Sequence, residues 1–249
     1  MIKTSLAALL LVTTAPALAQ PTTPPVGAPA EQITNDEAEI VILGFGGEPF
    51  RLTSDRLRDA VKTFSKNRAR YAPQATLEWR VHDFDPADAP QLALTDRKSG
   101  DRFPLELDST GRFVLPADRI LDRKLDLVAD RRAGQVRIMP EVFSPGGDAL
   151  RHRVGDARLG CRVMAAYMDN DFSPFLRLAF RTVGGCASKR FSIMWSGPED
   201  RPLERVFVSD WNGEIVLSEN RKAYRLPVHL EELDDEQMIE LVYPEADRE

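Results

Sequence analysis

Apolar positions along the chain follow two rhythms, one near 3.6 residues and one of two, and the changes between them mark out the elements. Ile40-Val41-Ile42-Leu43 is a short apolar run halted by Gly44-Phe45-Gly46-Gly47, the pattern of a strand. Leu57, Ala60, Val61, Phe64 and Tyr71 then recur at helical spacing, with Arg56, Asp59, Lys62, Lys66 and Arg70 on the opposite face. Thr53 or Ser54 supplies an N-cap and Pro73 a stop, so one amphipathic helix is predicted between them. From Thr76 the period drops to two, and Leu77, Trp79 and Val81 alternate with Glu78, Arg80 and His82. Gln91–Thr95 and Phe103–Leu107 flank the turn Lys98-Ser99-Gly100-Asp101, and Leu125–Ala129 faces Gln135–Met139 across Arg131–Gly134. Short strands at this even spacing predict an antiparallel β-sandwich with one helix over residues 39–147.

Ser144-Pro145-Gly146-Gly147-Asp148 is the predicted boundary, and residues 148–249 form a second α+β domain. Leu159–Tyr167 fits a strand or a helix equally well. After it, Ser173 reads as an N-cap and Pro174 as the first helical turn. Phe175, Leu176, Leu178, Ala179, Phe180 and Val183 follow, and Gly184-Gly185 stop the helix. Only Arg177 and Arg181 interrupt its apolar surface, which predicts burial between other elements. Phe191, Ile193 and Trp195 alternate along a strand, and Val206–Val208 and Ile215–Leu217 bracket Asp210-Trp211-Asn212-Gly213, a hairpin signal. Tyr224–Val228 and Met238–Tyr243 complete a meander around the acidic turn Glu231–Glu236. The predicted class is β-rich α+β: an antiparallel β-sandwich followed by a second antiparallel sheet packed on one buried helix.

Asp108-Ser-Thr-Gly111-Arg-Phe113-Val-Leu115-Pro116, with Leu125-Asp-Leu127-Val-Ala129 after it, resembles the D-x-x-G-x-F-x-L-P core of carboxypeptidase-regulatory-like, transthyretin-related sandwiches. The resemblance covers about a third of Glu39–Gly147, and the polar segment Asp118–Lys124 stands where that family has a short P-x-G-x-Y connection. It implies a sandwich for this half and, by analogy, an accessory module of exported proteins.

The first residues, MIKTSLAALLLVTTAPALAQ, place Lys3 before the apolar run Leu6–Val12 and end on the small-residue site Ala17-Leu18-Ala19. That is the tripartite pattern of a cleavable signal peptide over residues 1–19, and it predicts a periplasmic or secreted protein. The apolar run is shorter than the roughly 20 residues of a membrane-spanning helix, and Pro16 breaks it. Residues 20–38 are rich in Pro, Thr and Ala and read as a disordered leader. Without Lys3 the chain carries 32 basic against 39 acidic residues, a net charge of −7, and such a balance speaks against nucleic-acid binding. The basic stretches Arg119–Arg132 and Arg151–Arg158 are interleaved with Asp and read as solvated faces. In an oxidising compartment the two cysteines, Cys161 and Cys186, predict a disulfide, stabilising by about 3 kcal/mol through loop closure.

The motifs of known chemistry are sparse. There is no G-x-S-x-G elbow or S-x-x-K pair, and Asp108-Ser-Thr-Gly111 reads as a β-turn. His82, His152 and His229 lack the short spacings of a zinc site. Gly44-Phe-Gly46-Gly47 misses the third glycine of a dinucleotide loop, which falls on Pro49, so no cofactor is predicted. Asp83, Asp85 and Asp88 form D-x-D-x-x-D on a Pro-stiffened loop, a candidate Ca²⁺ site that lacks the EF-hand Gly and Glu. Trp211, on a predicted hairpin tip, is a candidate anchor for a partner. The expected function is a non-enzymatic binding or scaffold module that meets another envelope protein or a cell-wall component. The alternatives are a periplasmic hydrolase using His229 with Glu231, or the Asp83–Asp88 group, and a Ca²⁺-stabilised adhesion-type domain.

Overall fold

The computed structural model describes residues 48–182, 185–188, 194–197 and 201–245. The expected signal peptide, the leader, the strand at Ile40–Leu43 and the Gly44–Gly47 loop lie outside the described residues. The described part is α+β and β-rich, with antiparallel pairing throughout its named strands.

The chain opens with β1 (Pro49–Leu52) and α1 (Ser54–Tyr71), followed by β2 (Thr76–Val81). Helix α1 begins at Ser54 and ends before Pro73, and it buries Leu57, Ala60 and Val61 as its periodicity demands. Its N-terminus is capped from a distance. Thr53 makes no side-chain cap, and the Ser54 N–H donates instead to Asp126 Oδ1 at 2.7 Å, from a strand 72 residues away. Arg97 Nε donates to both Asp126 oxygens at 2.9 and 2.8 Å, and Arg51 Nε pairs with Oδ2 at 2.8 Å. Asp126 is fully buried, so a helix N-terminus and two guanidinium groups together replace its hydration. The same bond raises the pKa of Arg97 above its ordinary value.

β3 (Leu92–Asp96) and β4 (Arg102–Leu105) form the expected hairpin, its turn closed by Gly100 at φ +81° and by Asp96 Oδ1, which accepts from the Lys98 N–H at 2.8 Å. β5 (Arg112–Phe113), α2 (Ala117–Asp122), β6 (Leu125–Arg132) and β7 (Ile138–Phe143) follow. The strands make two sheets, β1-β6-β3-β4 and β5-β2-β7. β6 and β7 were expected to face each other, and they do not. β6 is flanked on both edges by β1 and β3, so β7 crosses to the other sheet and pairs with β2 from Thr76↔Phe143 to Val81↔Ile138.

β8 (Arg151–Arg153) leads directly into α3 (Val154–Met168), which settles Leu159–Tyr167 as helix. α3 contributes Leu159, Val163 and Tyr167 to the first core and Val154 and Ala157 to the second. The turn at Ser144–Asp148 therefore does not separate two independent cores. Tyr167 packs edge-on to buried Trp79 at 5.7 Å and donates its hydroxyl to the Ile138 carbonyl at 2.7 Å. Arg158 fastens the far side, donating to the Val228 and Leu230 carbonyls at 2.9 and 2.6 Å and to Asp235 at 2.5 Å.

α4 (Pro174–Thr182) was expected to be the buried helix, and the structure corrects this: Phe175 is 81% and Leu178 65% exposed. The internal position is taken by α3, whose Gly155 allows the Tyr71 carbonyl to approach closely. Cys161 and Cys186 form the disulfide with a Cα–Cα distance of 6.1 Å, tying α3 to the segment just past α4.

β9 (Met194–Ser196), β10 (Arg205–Val208), β11 (Val216–Leu217), β12 (Ala223–Arg225) and β13 (Met238–Val242) complete the chain. They form two further sheets, β10-β13-β8 and β11-β12-β9. The expected hairpin around Asn212-Gly213 does not form, because β10 pairs with β13 and β11 with β12.

Two predictions follow from these supports. Asp126→Ala removes the acceptor of a helix N-terminus and two arginines, and is expected to cost about 2–4 kcal/mol in urea unfolding followed by circular dichroism; a loss under about 0.5 kcal/mol would contradict the role assigned here. Cys161→Ser with Cys186→Ser is expected to lower stability by about 3 kcal/mol in the same assay.

Candidate functional site

The alternation of β2 sends Trp79 and Val81 inward and Glu78, Arg80 and His82 outward. On that outer face Glu78 lies opposite Glu141 of β7, and Arg80 opposite Arg112 of β5. Like charges in register are unfavourable, and diagonal pairing relieves them. Arg112 Nε reaches Glu141 at 3.1 Å and Glu78 at 4.0 Å, and Arg80 lies 3.6 Å from Glu141. The Arg112 guanidinium also stands over the Phe143 ring at 5.5 Å. Burial lowers the pKa of His82 from its ordinary value, helped by Arg137.

Beside this network a cleft of about 350 Å³ opens where β4 ends and the chain turns back into β5. Leu107, Phe113 and Val114 form its apolar wall, and Glu78, Glu106, Asp108 and Arg112 its polar one. The Asp108 turn shapes it. Asp108 Oδ1 accepts from the Thr110 N–H and hydroxyl, both at 2.8 Å, and from the Arg112 N–H at 2.9 Å, and the Asp108 N–H donates back to the Arg112 carbonyl at 2.9 Å. Burial pushes the Asp108 carboxyl up, but the donors from Arg112 and Thr110 outweigh it and hold the pKa below its ordinary value. Gly111, at φ +77°, lies against the Phe84 ring and leaves no room for a Cβ. β5 stops after two residues, Val114 is 65% exposed, and among the described residues no hydrogen bond engages the Val114 backbone. The cleft thus combines an unpaired strand end with carboxylates whose one neighbouring cation is committed mainly to Glu141.

The residues singled out from sequence are dispersed. Asp85 Oδ1 accepts from the Ala87 N–H at 2.9 Å, capping the short turn Pro86–Asp88, and Asp88 pairs with Arg131 at 2.6 Å. Asp83 sits at φ +55°, and no group of three or more metal-ligating side chains occurs among the described residues, so the candidate Ca²⁺ ligands Asp83, Asp85 and Asp88 are not gathered. No hydrogen bond or ion pair joins His229 to Glu231 among the described residues. Trp211 is half-buried against the second core, its ring covering Gly213 so closely that a Cβ there would overlap it, and Nε1 points to Glu232 at 3.4 Å. Its position is that of a packing residue.

The structure also gathers a trio that sequence reasoning missed. Ser144, His152 and Asp156 are all buried around the start of α3. The Ser144 hydroxyl donates directly to Asp156 Oδ1 at 2.7 Å. A serine nucleophile needs the imidazole between hydroxyl and carboxylate, and an approach for substrate; this arrangement has neither. No motif spacing signals it, because the three residues meet only through the turn at Ser144–Asp148.

No helix among the described residues is long and apolar enough to cross a membrane. No family model matches the sequence, and comparison with curated proteins and with solved structures returns no match either.

Proposed function

We propose that the chain is an exported, non-enzymatic binding module of the cell envelope, and that the cleft beside β5 is where it holds a partner. The observation that carries this reading is the unpaired strand end at Val114 opening into a cleft with one apolar wall and one lined by Glu78, Glu106 and Asp108. An extended segment can add to such an edge through its main chain while side chains enter the cleft. The volume is in the range of binding pockets, and the surplus of carboxylate favours a partner segment carrying lysine or arginine. The buried disulfide supports an oxidising compartment, in keeping with the signal-peptide pattern of residues 1–19 and a periplasmic site of action. The transthyretin-related resemblance of Asp108–Pro116 adds support for an accessory module.

A synthetic peptide of alternating valine and lysine is the probe. Titrated into the ¹⁵N-labelled protein, it is expected to move the amide signals of Glu106–Val114 and to bind at least about tenfold more weakly after Glu78→Gln with Glu106→Gln, or at high salt. A valine–glutamate peptide is expected to leave these signals in place. Equal response to both peptides, or no response in the cleft, would overturn the partner chemistry. Cleavage of the peptide, lost in His229→Ala, would replace the binding reading with the hydrolase alternative.

A further inference from the structure

The turn Ser144–Asp148 carries the chain from the end of β7 into β8 and the first turn of α3, where the two cores meet. Asp156, the third residue of α3, is 1% exposed. Oδ1 accepts from the Ser144 hydroxyl at 2.7 Å, and Oδ2 accepts from the Ser144 N–H at 3.0 Å and the Arg153 N–H at 3.2 Å. All three donors are neutral, and the Arg153 guanidinium goes elsewhere, to Glu236 at 2.8 Å. His152 is 7% exposed, sits opposite Ile239 of β13, and packs edge-on to Phe143 at 6.0 Å. Its Nδ1 is buried without a hydrogen-bond partner.

We propose that the His152–Asp156–Ser144 cluster is an acid-released latch, which holds β8 and the first turn of α3 to the end of β7 while His152 is neutral and gives way when His152 is protonated. A proton on Nδ1 would place a charge in a buried position where that nitrogen has no hydrogen-bond partner, and the Asp148 backbone and Asp156, which both favour the charged form, do not match the cost of burial. The charged groups facing the ring are Asp156 from α3, Asp148 from the turn and Glu141 from β7, and each favours the imidazolium. Burial is larger and lowers the pKa of His152 from its ordinary 6.5. The sign follows from this. The folded state binds fewer protons at His152 than the unfolded chain, so stability is full above about pH 6.5 and falls as pH drops from there towards the lowered folded value. What gives first is the Arg153 N–H bond to Asp156 Oδ2 at the start of α3, because His152 and Arg153 are consecutive on β8 and move together.

The experiment is thermal unfolding of the full, oxidised chain between pH 7.5 and 5.0. Its wild-type melting temperature is expected to fall by about 3–5 °C or more below pH 6.5. His152→Phe, an apolar ring beside Phe143, is expected to remove at least half of that fall, and His82→Gln to leave it intact. The latch is overturned if His152→Phe loses as much as the wild type over this range, or if His82→Gln abolishes the fall. Should His152→Phe fail to fold, the imidazole ¹⁵N signals of the wild type decide. His152 titrating below 6.5, with the Ser144 and Arg153 amides moving at the same midpoint, upholds the latch. Titration at or above 6.5, or amides that do not follow it, overturns it.

Discussion

At Gly155 the first turn of α3 lies against the Tyr71 carbonyl oxygen at the end of α1, so closely that a Cβ would overlap it, and the Gly155 N–H donates to the Asp235 carbonyl at 2.9 Å. Three segments distant in sequence converge on one residue without a side chain. That approach lets α3 be covered on both sides, giving one face to the sheet β5-β2-β7 and the other to the C-terminal strands. Its consequences spread outward. With the internal position occupied, α4 is displaced to the surface, and the disulfide past its end becomes the tether that holds this segment to α3. Arg158, one turn along, can then reach the 228–235 segment and fasten the second core to the same helix.

Two buried carboxylates start the two long helices, and they are balanced differently. Asp126 caps α1 from β6 and faces two arginines, each partly in water, so its charge is neutralised locally. Asp156 begins α3 with neutral donors alone and has the buried His152 imidazole among its ionisable neighbours.

Local signals were legible in the sequence, and partnerships were not. The period of α1, its stop before Pro73, the outward Glu78, Arg80 and His82, and the Gly100 hairpin are written within a few residues each, and the structure contains all of them. The disulfide needed only two cysteines and the assumption of an oxidising compartment. The β6–β7 and β10–β11 pairings went wrong because neighbours in sequence were taken as neighbours in space, whereas β7 and β10 find β2 and β13. α3 was ambiguous because apolar residues on two faces blur the helical period, and its glycines weaken propensity. α4 read as buried for the opposite reason: its apolar content is high, yet only part of its surface is covered. The cleft residues Glu106, Arg112 and Val114 carry no motif at all, because the cleft exists only where the Asp108 turn folds the chain back between β4 and β5.

Phe143 stands between the two polar features of the molecule, with the Arg112 guanidinium over its ring at 5.5 Å and the His152 ring edge-on at 6.0 Å. Proximity alone does not couple them, since coupling requires an element with two arrangements that both sites bias. The end of β7 is fixed from one side by the Ser144–Asp156 bonds and from the other by pairing of Thr76 with Phe143. While both hold, Phe143 is a rigid floor for Arg112, and Arg112 stays on Glu141.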